Sequence, residues 1–212
     1  MVTLRRHIPN LITIARLVLT VVFFTLLNVH RPDTFAQTMW VAFVVFLIAA
    51  LTDILDGYLA RHWKVESAFG RVVDPFVDKI LVCGAFVFFS STEFINPALV
   101  PAKTLSITGV APWMAVVLIG REFLITSLRG LAEAKGIPFP ADWSGKIKMV
   151  IQSFAVGAII VDVATITYTN SHLQHIPWIQ TTALISIWLT LLVTVASGTT
   201  YILRARRIFM DN

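Results

Sequence analysis

Six apolar runs of roughly twenty residues, separated by short polar connections, leave few folds open to this chain. Backbone amides and carbonyls in so much apolar sequence need partners inside their own segment, and helices supply them. The runs read as spans over Leu11–Asn28, Gln37–Leu59, Arg71–Ser91, Trp113–Ala134, Ser144–Thr165 and Trp178–Leu203. Of the 212 residues, 57% are hydrophobic and only 14% charged, which is more apolar surface than a soluble domain of this length can hide. The expected fold is an all-α integral membrane protein, a bundle of six transmembrane helices forming one domain over residues 1–212. The single cysteine, Cys83, excludes a disulfide framework, and its place in the apolar run Ile80–Phe89 suits packing. The first run is long and lacks a small-residue cleavage site, so it reads as a retained span rather than a leader.

A pI near 9.7 invites a nucleic-acid partner, but the distribution of charge argues against one. Counted along the runs, Arg5, Arg6, Arg61, Lys64, Arg71, Arg129, Lys135, Lys146, Lys148, Arg204, Arg206 and Arg207 fall on the side of the N-terminus. Only Arg31 and Lys103 fall on the other. Twelve against two is the asymmetry that orients membrane proteins, and it places both termini on the cytoplasmic side of a multi-pass plasma (inner) membrane protein. Arg16, Lys79 and Arg121 lie within spans. The segment Tyr168–Pro177 carries His172 and His175, and a metal site there is not expected because no carboxylate or cysteine accompanies them.

Four carboxylates stand at the ends of two neighbouring runs. Asp53 and Asp56 are three apart, and Asp74 and Asp78 four apart, so on helices each pair projects from one face. If the two helices are antiparallel neighbours, the four groups converge in the cytoplasmic half. Like charges in a low-dielectric place repel and are costly to desolvate. A charge at membrane depth costs about 2.5–3.5 kcal/mol on insertion scales, so partners are required. Oxygen ligands at that density suit a hard divalent cation, Mg²⁺ or Mn²⁺, and two such ions about 3.5–4 Å apart would clamp phosphoryl oxygens.

The same stretch reads D-x2-D-G-x2-A-R-x8-G-x3-D-x3-D, filled by Asp53, Asp56, Gly57, Ala60, Arg61, Gly70, Asp74 and Asp78. Eight fixed positions would match by chance on the order of once in ten million chains, so the pattern is specific. It resembles the signature of the CDP-alcohol phosphotransferase family, with no departure. The resemblance implies that Asp53, Asp56 and Asp74 are metal ligands, and that Asp78 is a ligand or the general base. It implies a CDP-linked lipid, most often CDP-diacylglycerol, as donor, with an alcohol attacking its lipid-side phosphorus and CMP leaving. Gly57, Ala60, Arg61 and Gly70 would then border the donor. So would Asn10, Thr13 and Arg16, which step along one face of the first span at intervals of three. No Ser–His or Cys–His pair offers a covalent route at this site, so direct displacement is the simpler chemistry.

The acceptor is read from the second half. Gly120-Arg121-Glu122-Phe123, Leu128-Arg129, Gly145-Lys146-Ile147-Lys148 and the opening Ile8-Pro9-Asn10 resemble the branch of the family that forms phosphatidylglycerol phosphate. A phosphorylated acceptor such as sn-glycerol 3-phosphate needs fixed cations, and arginine meets phosphate with paired hydrogen bonds. Arg121 and Arg129 are eight residues apart, about 12 Å along a helix. Lys146 and Lys148 are two apart and do not share a face, so one is expected to reach substrate while the other serves topology. Related readings are cardiolipin synthase and phosphatidylinositol-phosphate synthase, which differ in acceptor. A divalent-cation transporter shares the buried carboxylates but gives no reason for the glycine and arginine spacing. Membrane lipids surround such a protein, and the resemblance implies a homodimer.

Overall fold

A computed structural model describes residues 2–29, 34–63, 68–91, 94, 107–136, 143–169 and 172–210. Side chains are described there except those of residues 2–10, 53–75, 78, 143–144, 167–169, 172–173 and 207–210. Among the described residues there are six helices: α1 (Val2–Leu27), α2 (Phe35–Trp63), α3 (Ala68–Phe89), α4 (Pro112–Ala134), α5 (Trp143–Ala164) and α6 (Pro177–Met210). They answer the six apolar runs, but most extend beyond them. Helix α1 begins nine residues before Leu11 and includes the basic segment. Helix α2 continues to Trp63, so Arg61 and His62 are helical rather than in a loop. Helix α3 starts at Ala68, which makes Pro75 its eighth residue and corrects the expectation that Pro75 lies in the first turn. Having no N–H, Pro75 leaves the carbonyl four residues back without its helical donor.

One element was not expected. Strands β1 (Thr167–Thr169) and β2 (His172–Gln174) form an antiparallel hairpin between α5 and α6, with Tyr168 opposite Leu173. Among the described residues no other strand occurs.

Among the described residues three helices are long and apolar enough to cross a membrane: Phe35–Thr52, Gly145–Ala164 and Pro177–Arg206. Shorter apolar stretches cover Leu11–Leu27 and Lys79–Phe89. Helix α4 carries Arg121, Glu122, Arg129 and Glu133. Large apolar side chains face outward on every one of these helices, among them Leu11, Val44, Val87, Val116, Val150 and Leu192. In a bilayer that outward face meets lipid, and the chain is a membrane protein.

The interior of the first half is aromatic. Phe23 meets Phe46 of α2 with ring centroids 5.6 Å apart, and Phe24 stacks on Phe88 of α3 at 5.2 Å. Helix α1 is thereby packed against both α2 and α3. The end of α3 is closed by Thr108, whose hydroxyl donates to the Phe89 carbonyl at 2.6 Å. Pro112 opens α4 in the first turn, where a missing N–H costs nothing, and Gly136 with φ +68° follows its end in the left-handed conformation.

Contacts down the second half set helix directions. Trp113 meets Trp188 at 6.3 Å, and further along the same two helices Arg121 lies over Gly198. Helices α4 and α6 therefore run in the same direction. Gln152 meets Thr194 and Gly145 lies near Tyr201, so α5 and α6 run in opposite directions. Helix α5 also packs on α2 and α3, and α4 on α3 and α6.

The close approach of α1 and α3 depends on Gly84. A Cβ there would overlap the Phe24 ring, which Phe88 holds by stacking. Gly84→Val is expected to destabilise by about 1–3 kcal/mol and to lower the thermal midpoint of the detergent-solubilised protein by about 2–10 °C. An unchanged midpoint would argue against this packing.

Candidate functional site

The cations expected on α4 and α5 come together at one cavity of about 410 Å³. Lys79, Arg121, Arg129, Lys146 and Lys148 border it, with one carboxylate, Glu122, among the described lining residues. Five cations to one carboxylate make this a place for an anion. Lys146 and Lys148, although two residues apart, both border it; Lys148 is buried and Lys146 exposed. Arg129 is exposed, and Arg121 and Lys148 form the deep end.

Glu122 organises that deep end. The Arg121 Nη1 donates to Glu122 Oε1 at 3.1 Å, and the Lys148 ammonium donates to the same oxygen. The three side chains are 9%, 11% and 7% exposed, in the order Arg121, Glu122, Lys148. A single carboxylate oxygen thus bridges α4 to α5 and partly neutralises two buried cations. The Thr126 hydroxyl donates to the Glu122 carbonyl at 2.7 Å and accepts from the Lys79 ammonium, which ties α3 to α4. Arg121 Nε is buried and has no hydrogen-bond partner among the described residues.

Sequence reasoning missed several residues here. Gln152 and Tyr201 border the cavity, and Ser197 accepts a hydrogen bond from Arg121 Nη2 at 3.0 Å. A signal for them was present. Ser186, Thr190, Thr194, Ser197 and Tyr201 recur every three or four residues along α6 and are all buried. Gln152 lies one turn beyond Lys148 on α5. Polar groups at that spacing in an apolar helix mark an inward face.

A second, apolar groove of about 430 Å³ lies between α3 and α4, walled by Phe76, Ile80, Val87, Ile119 and Phe123. It meets the cationic cavity at Lys79, Cys83, Glu122 and Thr126, which border both.

The four carboxylates are carried by helical backbone, with Asp53 and Asp56 on α2 and Asp74 and Asp78 on α3. Their side chains, and those of Asn10, Gly57, Ala60, Arg61 and Gly70, lie outside the described residues. Lys79 and Cys83, one and five residues beyond Asp78, put the α3 wall of both spaces directly after that motif. On α1, Thr13, Arg16 and Thr20 are at most 1% exposed. Arg16 therefore turns into the protein rather than toward the membrane surface.

The histidine reading needs correction. Asp162, near the end of α5, faces His175, with Nδ1 at 3.1 Å from each carboxylate oxygen. A carboxylate does accompany this histidine; it was hidden within the fifth span. Among the described residues no three metal-binding side chains gather, there or elsewhere.

A family model described as CDP-alcohol phosphatidyltransferase matches residues 6–196. The chain belongs to that family. Among its relatives is a probable phosphatidylglycerophosphate synthase of Mycobacterium tuberculosis (strain H37Rv), 31% identical over 95% of this chain and 82% of that one. The CDP-diacylglycerol–glycerol-3-phosphate 3-phosphatidyltransferase of Bacillus subtilis is 30% identical over 92% of this chain and 93% of its own. The enzyme of the same name from Haemophilus influenzae is 27% identical, with 97% of each chain covered. This member of the CDP-alcohol phosphatidyltransferase family thus aligns with them across both the carboxylate motif and the cationic cavity.

Removing Glu122 alone would leave Arg121 and Lys148 buried without their shared counter-ion. Glu122→Ala is expected to destabilise by about 3 kcal/mol or more, and Lys148→Met added to it should recover part of that loss. Thermal midpoints of the two single variants and the double variant check the coupling; strictly additive values would show none.

Proposed function

We propose that the protein transfers a phosphatidyl group from CDP-diacylglycerol to sn-glycerol 3-phosphate, giving phosphatidylglycerol phosphate and CMP. The observation that carries this reading is the cationic cavity beside α3, bordered among the described residues by five cations and one carboxylate. A phosphorylated alcohol supplies the anion such a cavity needs. The adjoining apolar groove supports a donor that is part lipid. The names of the relatives agree with both substrates.

Asp53, Asp56, Asp74 and Asp78 would hold two divalent cations, Mg²⁺ or Mn²⁺; the donor set is oxygen-only and carried one helical turn apart on α2 and α3. Bound there, the ions would neutralise the diphosphate and polarise the attacked phosphorus. Asn10, Thr13, Arg16, Gly57, Ala60, Arg61 and Gly70 border the cytidine and diphosphate of the donor. Arg121 and Lys148 hold the acceptor phosphate at depth, with Arg129 and Lys146 at the rim. The acceptor hydroxyl attacks the lipid-side phosphorus, its proton passes to Asp78, and the bond to CMP breaks with CMP taking the electron pair. Direct displacement needs no covalent enzyme intermediate.

The same reading sets all six helices across the cytoplasmic membrane as one domain, 1–212, with both termini and the carboxylates in the cytoplasmic half. The twelve-to-two charge count and the parallel run of α4 and α6 support it. Assembly as a homodimer is part of the proposal.

The test is CMP release by purified protein with CDP-diacylglycerol and Mg²⁺, with and without glycerol 3-phosphate. Glycerol, inositol phosphate and phosphatidylglycerol serve as rival acceptors. Release should require glycerol 3-phosphate and the metal, and fall about a hundredfold or more in Asp74→Asn. In Arg121→Ala the KM for glycerol 3-phosphate should rise about tenfold or more. Release driven by inositol phosphate or phosphatidylglycerol would keep the carboxylate assignment and overturn the acceptor. Full metal-dependent activity in Asp74→Asn would sink the site.

A further inference from the structure

We infer that α6 is the third wall of the acceptor site, and that Ser197, Gly198 and Tyr201 position the Arg121 guanidinium for the acceptor phosphate. The inference rests on the acceptor reading above. It concerns residues of α6, a helix that carries none of the carboxylate motif and none of Arg121, Arg129, Lys146 and Lys148.

Arg121 is held on three sides. Its Nη2 donates to Ser197 Oγ at 3.0 Å, and Ser197 in turn donates to the Thr194 carbonyl at 3.1 Å. Its Nη1 donates to Glu122 at 3.1 Å. The guanidinium carbon stands 5.6 Å from the centre of the Tyr201 ring, within the range where a cation is attracted to an aromatic face. Ser197 and Tyr201 are one helical turn apart, and both are 3% exposed. Between them Gly198 lets the arginine stem lie close: a Cβ there would sit 3.3 Å from Arg121 Cγ. The two terminal nitrogens are thus engaged, while the buried Nε has no partner among the described residues. Arg121 also borders the cavity, so the guanidinium held by α6 is part of the cavity wall.

Lys148 is held differently. Among the described residues its hydrogen-bond partner is Glu122 alone, and its stem is flexible. Arginine is therefore the preset element of the pair, and α6 is what presets it. Fixing a rotamer-rich cation before substrate arrives removes an ordering cost from binding, worth about two- to tenfold in affinity.

The experiment is steady-state kinetics of the full-length protein with both substrates varied. Tyr201→Leu and Ser197→Ala should each raise KM for glycerol 3-phosphate, about tenfold and about threefold respectively. Their kcat at saturation and KM for CDP-diacylglycerol should stay within twofold. Tyr201→Phe, which keeps the ring, should raise the KM for glycerol 3-phosphate less than Tyr201→Leu does. Gly198→Ala should show a smaller rise of the same kind. A KM for glycerol 3-phosphate unchanged in both Tyr201→Leu and Ser197→Ala overturns the inference. So does an equal rise in KM for both substrates, because that is general damage to the bundle. Parent protein whose CMP release ignores glycerol 3-phosphate would instead refute the acceptor assignment on which the inference stands.

Discussion

Charge placed in a low-dielectric interior must find partners, and the second half of this protein is built around that requirement. Arg121 and Lys148 are both buried, and a single oxygen of Glu122 serves both. The Coulomb attraction between such groups is far stronger here than in water, and so is the penalty for breaking it. Among the described residues, one carboxylate between two cations leaves the deep end positive. The surplus points the cavity toward an anion, and the stability of the bundle and its ligand preference thus arise from the same three side chains.

Helix α3 joins this arrangement to the other half. On one side α1 locks it through Phe24, Phe88 and the space left by Gly84. On the other, Lys79 reaches Thr126 of α4, whose own hydroxyl ties back to the Glu122 backbone. The helix that carries Asp74 and Asp78 is therefore held rigidly between an aromatic core and a polar network. Chemistry that depends on two substrates meeting at a set distance needs that rigidity, because a small displacement of either costs rate steeply.

How much of this was legible depended on what each residue leaves in the sequence. The carboxylate motif was plain because its spacing repeats a helical turn and its charges are too costly in an apolar run to be incidental. The helices were plain as apolar runs, but their ends were not. Hydropathy stops where lipid contact stops, whereas helical hydrogen bonding continues through Arg61 to Trp63 and through Arg204 to Met210. The β1–β2 hairpin has strands of three residues, too short for an alternation pattern to register. Asp162 and His175 are thirteen residues apart, and only the fold shows them as a pair. Ser197, Tyr201 and Gln152 carry no charge, so a search for charges in spans passed over them.

The contrast between the two buried cations bears on turnover. A site that must both recognise a phosphorylated acceptor and let a larger, lipid-bearing product leave gains little from gripping the phosphate equally at all points, since uniform binding lowers KM without raising kcat. Arg121, engaged by Ser197 and Glu122 and facing Tyr201, is a fixed cation at the cavity wall. Lys148, on a flexible stem with a carboxylate waiting beside it, has somewhere to return when the anion departs. Glu122 then plays two parts: counter-ion to the empty cavity and competitor to the phosphate. Its single shared oxygen keeps two like charges from being stranded in the protein interior, and under the proposed reading release of product depends on the same electrostatics that hold α4 and α5 together.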